Sequence, residues 1–281
     1  MNSLKVKCPA KINLTLEVVN RREDGFHNIK SIMQTISLYD YLTINVEDYT
    51  ENKIVLSGNS MEIPYNEKNL VYKAAVSFLN KSNIKNKKIS IFIDKSIPIA
   101  AGLAGGSTDA AGTIFGLNEI FDSPIKREEL HELCAALGSD LNVCLEGGTL
   151  LATSRGEKTE KLKTPDYEVT LIKPKNLGIS AKEAYTKYAQ KEIKPKYDMT
   201  EKMINAINNN LDIKPFLYND LEYAIFDDYN ELQYIKSALP KAIMSGSGST
   251  YFILENINTD FSNEYDVITG LHFLNDGVKL A

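Results

Sequence analysis

The sequence predicts an α+β fold, on three observations. Apolar and polar residues alternate with period two over residues 4–19 and 29–47, which is the pattern of strands. Runs with helical spacing appear at 68–80, after Ala110, and at 127–137. Strands and helices mix without strict β-α-β alternation, which argues against a doubly wound parallel sheet.

The first strand pattern is interrupted at Cys8-Pro9-Ala10. Arg21-Arg22-Glu23-Asp24-Gly25-Phe26-His27-Asn28 reads as a turn before the second, which is carried by Ile32, Ile36, Leu38, Leu42, Ile44 and Val46. Residues 53–57 and 89–93 are further strands. In 68–80, Leu70, Ala74, Ala75, Phe78 and Leu79 share one helical face. A glycine-rich segment then leads into a helix from Ala110 to Phe121, with Ser107, Thr108 and Asp109 as candidate N-caps. The next helix runs from about Arg127 to Leu137 and is stopped by Gly138. Gly147-Gly148 turns into a strand ending at Thr153. The polar stretch 154–160 is taken as a boundary dividing the chain into domains 1–157 and 158–281. Beyond it, Tyr167 to Ile172 is a strand. Residues 181–189, 199–208 and 219–239 are helical, with Pro195 and Pro215 breaking the run. Apolar runs at 242–244 and 251–254 flank a second glycine cluster, Ser245-Gly246-Ser247-Gly248-Ser249-Thr250.

Composition sets outer bounds. The chain has 281 residues, 43% hydrophobic and 25% charged, enough for a sizeable core and for two modest domains. Its net charge of −5 argues against general nucleic-acid binding, which needs a basic surface. No apolar run approaches the roughly 18 residues of a membrane helix. The first eight residues carry no signal-peptide pattern, so the expectation is a cytoplasmic protein with neither membrane nor nucleic acid as partner. Cys8, Cys134 and Cys144 lack C-x-x-C spacing and read as reduced, packed thiols. The oligomeric state is not legible.

The chemistry concentrates in a few segments. Pro98-Ile99-Ala100-Ala101-Gly102-Leu103-Ala104-Gly105-Gly106-Ser107-Thr108-Asp109-Ala110-Ala111 joins a strand to a helix. Bare backbone amides at the positive end of a helix form an anion site, most often for phosphate. The spacing is neither that of a Walker A loop nor G-x-G-x-x-G. The loop therefore has no built-in lysine, and the phosphate charge must be met from elsewhere. Ser107 or Thr108 offers a hard oxygen for magnesium. Asp140 follows a helix stop, and reads either as a turn aspartate or as a carboxylate that accepts a hydroxyl proton during phosphoryl transfer. Lys11 and Asn13 share one face of the first strand, either as a solvated pair or with Lys11 keeping a carboxylate ionised. Lys95 is a strand-end lysine or a nucleotide contact. Phe26 and His27 form an aromatic pair in a polar loop, suited to stacking on a base and reading its edge, or simply solvated. The 245–250 cluster is a linking turn, or it brings backbone close to a substrate or to the first loop.

In this order, the segments resemble the GHMP kinase superfamily. The resemblance rests on Pro9-Ala10-Lys11-Ile12-Asn13-Leu14, Arg22-Glu23-Asp24-Gly25-Phe26-His27, the Gly102–Ala111 segment and Leu137-Gly138-Ser139-Asp140. Gly147-Gly148-Thr149, Arg155-Gly156-Glu157 and Ser245-Gly246-Ser247-Gly248 extend it across nearly the whole chain. The Pro9–Leu14 and Asp24–His27 segments are similar to the branch whose small-molecule substrate is a cytidine diphosphate-linked methylerythritol. The resemblance implies a two-domain GHMP kinase fold, a ribosomal protein S5 domain 2-like half followed by a ferredoxin-like half, with the site between them. It implies ATP and Mg2+ as cofactors and Lys11 with Asp140 as the catalytic pair. It further implies that Asn13 positions the methylerythritol part. Pro98, Ala101, Gly102, Leu103, Ala104, Gly105, Gly106, Ser107 and Thr108 would hold ATP, with Asn69, Leu70 and Lys95 near the adenosine. His27 would read the cytosine edge, and Phe26 and Tyr185 would stack on its faces. The chain departs from the usual run at Asn142-Val143, where proline or serine and then phenylalanine are frequent, and at Ser154, where glycine is frequent.

Overall fold

A computed structural model describes residues 2–191, 198–257 and 261–281. The first strand pattern becomes β1 (Asn2–Asn13) and β2 (Thr15–Arg21), and the second a single 22-residue strand, β3 (His27–Asp48). β4 (Lys53–Gly58), α1 (Leu70–Ser82) and β5 (Lys87–Asp94) follow. Then come α2 (Gly105–Ile120), α3 (Arg127–Leu137) and a short α4 (Leu141–Glu146), and next β6 (Thr149–Ser154) and β7 (Lys158–Lys161). Thereafter the chain forms β8 (Glu168–Pro174), α5 (Ala181–Gln190), α6 (Met199–Asn208), β9 (Tyr218–Asn219), α7 (Asp220–Ile225) and α8 (Asn230–Ala238). It ends with β10 (Ile243–Met244), β11 (Tyr251–Ile253), β12 (Tyr265–His272) and β13 (Lys279–Leu280).

Among the described residues, nine strands form one sheet with β3 at its centre. β3 pairs antiparallel with β1, β2, β5 and β6 along successive parts of its length. β10, β11, β8 and β12 form a second, four-stranded antiparallel sheet. The polar stretch 154–160 is a hairpin joining β6 to β7, so residues 158–161 pair with the first sheet and the second begins at β8.

Three adjustments to the sequence reading stand out. The α2 helix begins at Gly105 rather than Ala110, and its N-cap is Ala104 in the left-handed region (φ 59°), with no capping side chain. Ser107, Thr108 and Asp109 lie within its first turns and are not caps. Adjacent glycines, poor helix formers, hid that start. The helix expected over 219–239 is split into α7 and α8, because Tyr229 adopts an extended backbone (φ −134°, ψ 111°). The short strands β9 and β13 and the longer β12 carry no strong alternation and are set by their partners. Pro195, expected to break a helical run, lies outside the described residues.

The path of β1 positions the site. Its pairing with β3 jumps from Pro9↔Tyr39 to Ala10↔Ile36. Before the jump, Val6 and Cys8 pack with Leu42, Ile44, Phe78, Ile114 and Leu117 beneath α1 and α2. After it, Ala10, Ile12 and Leu14 pack with Val169, Leu171, Met203 and Phe252 of the second sheet and α6. Apolar burial, at roughly 25 cal/mol per Å2, thus anchors β1 in two cores at once. Lys11 and Asn13 project from the opposite face, where the two halves of the molecule meet. Cys8, Cys134 and Cys144 are free and buried, as expected, and burial pushes the Cys134 thiol up to about 12.

Candidate active site

A cleft of about 990 Å3 opens between the halves. Lys11, Asn13, Phe26, His27, Gly102, Ala104, Ser107, Asp140 and Tyr185 all line it, although they come from segments far apart in sequence.

Lys11 and Asn13 are 3% and 1% exposed, so the solvated reading of that strand face does not hold. The Lys11 ammonium donates to Asn13 Oδ1 at 2.7 Å and to the Gly102 carbonyl at 3.1 Å. It also lies 3.5 Å from Asp140 Oδ2. Asn13 in turn donates to Ser31 Oγ at 2.8 Å. A lysine in a low-dielectric strand face is tolerated because it donates to two oxygens and has a carboxylate beside it. Asp140 occupies the N-cap position of α4 without making a capping bond, which leaves its carboxylate facing the cleft.

The glycine loop is held from behind. The carbonyls of Ala100, Ala101, Gly102 and Leu103 accept from Ile179 N, Thr250 N, Lys11 Nζ and Lys11 N respectively. Ser245 Oγ also donates to the Gly102 carbonyl, at 2.9 Å. With the carbonyls turned inward, the first-turn amides of Gly105, Gly106 and Ser107 have no intrahelical partners. The second glycine cluster therefore touches the first. At Gly246 (φ +54°) a Cβ would lie 3.1 Å from the Gly102 carbonyl and 3.3 Å from the Lys11 ammonium.

Other expected contacts lie outside the lining of this cleft. The Asn69 side chain caps α1, accepting from Val71 N and donating to the Pro64 carbonyl. Leu70 packs against the first core. Ala101 and Leu103 are buried in the second core, so they present backbone only. Thr108 is fully buried. Asn69, Leu70, Lys95 and Pro98 do not line the cleft, and Gly105 and Gly106 lie between Ala104 and Ser107, which do, with Gly106 exposed. The Lys95 ammonium is engaged by the carboxylates of Asp40 and Asp109. Burial alone would lower the Lys95 ammonium, but the two carboxylates outweigh it and raise it. Burial pushes Asp109 up to about 7, against the pull of Lys95 and with the help of Asp40.

At the far end of the cleft, Tyr185 stacks on His27 with ring centroids 5.1 Å apart and planes 15° off parallel. Phe26 is 54% exposed, with the Arg155 guanidinium over its ring at 5.3 Å. Burial, helped by the charge of Arg21, lowers His27 below its ordinary value. Its imidazole is therefore neutral near pH 7, with one nitrogen donating and one accepting. The unfolded chain protonates first as pH falls, so the stability carried by His27 is present above about 6.5 and declines below it. A His27→Gln variant should flatten the thermal midpoint of the parent between pH 7 and 5. An unchanged slope would contradict the half-buried, neutral assignment.

Sequence reasoning missed Arg155 over Phe26 and also Asp40, an unremarkable aspartate in a strand whose burial comes only from the tertiary fold. Asn142, which departs from the usual run, is a link. It donates to the Glu157 carbonyl at 2.8 Å and its Oδ1 lies 3.2 Å from His131 Nδ1. Among the described residues, no group of three or more His, Cys, Asp or Glu side chains is gathered to hold a metal unaided. Among the described residues, no helix is long and apolar enough to cross a membrane.

Residues 69–148 match the family described as GHMP kinases N terminal domain. Over 275 residues, 95% of this chain and 93% of the relative, the chain is 38% identical to a Bacillus cereus protein named 4-diphosphocytidyl-2-C-methyl-D-erythritol kinase. A Bacillus thuringiensis protein of the same name is 37% identical over 96% of this chain and 94% of its own. A solved structure of 4-(cytidine 5'-diphospho)-2C-methyl-D-erythritol kinase superposes with a TM-score of 0.72 at 30% identity, covering 89% of this chain and 90% of that one. A homoserine kinase from Cytophaga hutchinsonii shares the fold at 17% identity, with a TM-score of 0.76 over 100% of this chain and 98% of its own.

Proposed function

The chain belongs to the 4-diphosphocytidyl-2-C-methyl-D-erythritol kinases, ATP-dependent GHMP kinases of isoprenoid precursor synthesis, and from that premise we propose how its residues carry the reaction. The observation that carries the reading is the Lys11–Asp140 pair, 3.5 Å apart, beside the carbonyl of Gly102 in one cleft. Asp140 accepts the proton of the substrate 2-hydroxyl as its oxygen attacks the γ-phosphorus of ATP. The bond to the β-phosphate oxygen breaks and ADP leaves. Lys11 holds Asp140 and the hydroxyl in register, and Asn13 holds the methylerythritol part. Such transfer depends on positioning and electrostatics more than on a covalent intermediate.

The loop amides of Gly105, Gly106 and Ser107 meet the ATP phosphates. Lys95, engaged below the loop, brings them no free cation. Magnesium, which binds phosphates with few protein ligands, fits that deficit. Ser107 is its candidate protein oxygen because it lines the cleft, whereas Thr108 is fully buried. The ion would supply charge neutralisation to the transferring phosphoryl group.

Phe26 and Tyr185 supply ring faces for the cytosine, and His27 reads its edge. His27→Ala should raise KM for the cytidyl substrate by about ten- to a hundred-fold, the worth of one or two hydrogen bonds plus lost stacking. KM for ATP should stay within about two-fold. An unchanged KM for the cytidyl substrate would remove His27 from base recognition. The assignment as a whole is tested by ADP release with Mg-ATP, comparing the cytidyl-methylerythritol substrate with homoserine and mevalonate. Turnover on the first alone is expected, and turnover on another alcohol instead would discard the substrate reading.

A further inference from the structure

One cluster of buried charge takes no part in the chemistry above. Asp40, on β3, is fully buried. One of its oxygens accepts from Ser96 N at 2.6 Å and Ile97 N at 2.8 Å, and the other meets the Lys95 ammonium. Lys95 reaches across to Asp109 Oδ2 on α2, at 2.9 Å. The Lys95 and Asp109 side chains are 7% and 4% exposed, and none of the three residues lines the cleft.

We propose that Asp40, Lys95 and Asp109 form a brace that fixes both ends of the ATP-phosphate loop, which makes Asp40 and Asp109 positioning residues for nucleotide binding. The proposal rests on the assignment of that loop to the phosphates. The loop leaves β5 after Asp94 and becomes α2 at Gly105. Asp40 pins its exit through two backbone amides, Asp109 pins its entry through α2, and Lys95 joins the two pins. Gly105 closes the arrangement, since a Cβ there would lie 3.0 Å from the Lys95 ammonium and 3.2 Å from Ile97 Cγ2. The amides of Gly105, Gly106 and Ser107 can then present only one geometry to an anion. Buried ion pairs add little net stability over apolar packing of the same volume. What a hydrogen-bonded charged cluster at this place supplies is a defined position, and phosphoryl transfer is sensitive to errors of about 1 Å.

Asp40→Asn and Asp109→Asn each remove one carboxylate charge and leave Lys95 paired with the other, so a neutral buried pair remains and the chain should fold. Each should raise KM for ATP about ten-fold. KM for the cytidyl substrate should stay within about two-fold, with a cooperative thermal transition. The Asp40→Asn/Lys95→Met/Asp109→Asn combination removes every charge together and carries the same comparison should a single variant not fold. Gly106→Glu is the control for the loop itself: a Cβ at Gly106 meets nothing within 4 Å, so the fold tolerates it, while the carboxylate repels phosphate. If Gly106→Glu raises KM for ATP and the two Asn variants do not, the brace is wrong and the loop assignment stands. If Gly106→Glu has no effect on ATP, the loop assignment fails and the brace with it. A parallel rise in KM for both substrates with a lower thermal midpoint would mean a merely structural cluster, and would also overturn the proposal.

Discussion

Asp140→Asn should lower kcat about a thousand-fold while KM for ATP changes by less than about three-fold. Asparagine keeps the size and the hydrogen-bonding oxygen but cannot take up the hydroxyl proton. General-base catalysis contributes roughly 10²–10⁴-fold, and a thousand-fold corresponds to about 4 kcal/mol of barrier. The fold should survive, because Asp140 makes no capping bond to α4 and Lys11 retains Asn13 Oδ1 and the Gly102 carbonyl. ATP binding should survive as well, because the loop amides and the contacts behind them do not involve Asp140. Steady-state kinetics beside ATP titration of the variant make the check. A variant turning over within about three-fold of the parent would take the proton-acceptor role away from Asp140. A large rise in KM for ATP with kcat intact would make Asp140 a nucleotide-binding group instead.

Much of this site was legible in the sequence, for a physical reason. Lys11 and Asn13 are polar residues two apart in an otherwise apolar strand, and a strand puts such a pair on one face. Whether that face met water or a cleft depended on the jump in pairing at Pro9–Ala10; the interruption of the pattern there marked its place but not what the face would meet. The glycine loop was visible because clearing side chains from a helix start serves close approach. The GHMP kinase fold followed from the order of such segments more than from any one of them. Asp40 was not legible. In a strand with exposed and buried neighbours an aspartate reads as solvated, and only tertiary placement sets it on the amides of Ser96 and Ile97. The partners of Lys95 were not legible for the same reason: nothing in residues 89–97 indicates two distant carboxylates. Strands β9, β12 and β13 went unseen because their pairing comes from partners remote in sequence rather than from alternation.

Gly102→Ala should be the most damaging substitution in the loop. Gly102 sits at φ +74°, where a residue with a Cβ costs roughly 1–2 kcal/mol. The Cβ would also lie 2.0 Å from the Ser245 carbonyl oxygen and 3.0 Å from its carbon. Both are backbone atoms, so relief requires the two glycine segments to separate, and overpacking of that kind costs typically 1–3 kcal/mol more. The Gly102 carbonyl is also where Lys11 Nζ and Ser245 Oγ converge, so separation moves the lysine that accompanies Asp140. The expected result is a fall of roughly a hundred-fold or more in kcat/KM, together with a lower thermal midpoint, since misplacement by about 1 Å suffices for such a loss. Gly25→Ala separates backbone strain from collision. Gly25 has a similar φ of +86°, but its Cβ would meet nothing within 4 Å, so strain alone should cost it about 1–2 kcal/mol of stability. Equal effects of the two substitutions on the thermal midpoint would show that the contact between the glycine segments contributes nothing beyond backbone strain. A Gly102→Ala enzyme with parental kinetics would show that Lys11 does not depend on that contact for its position.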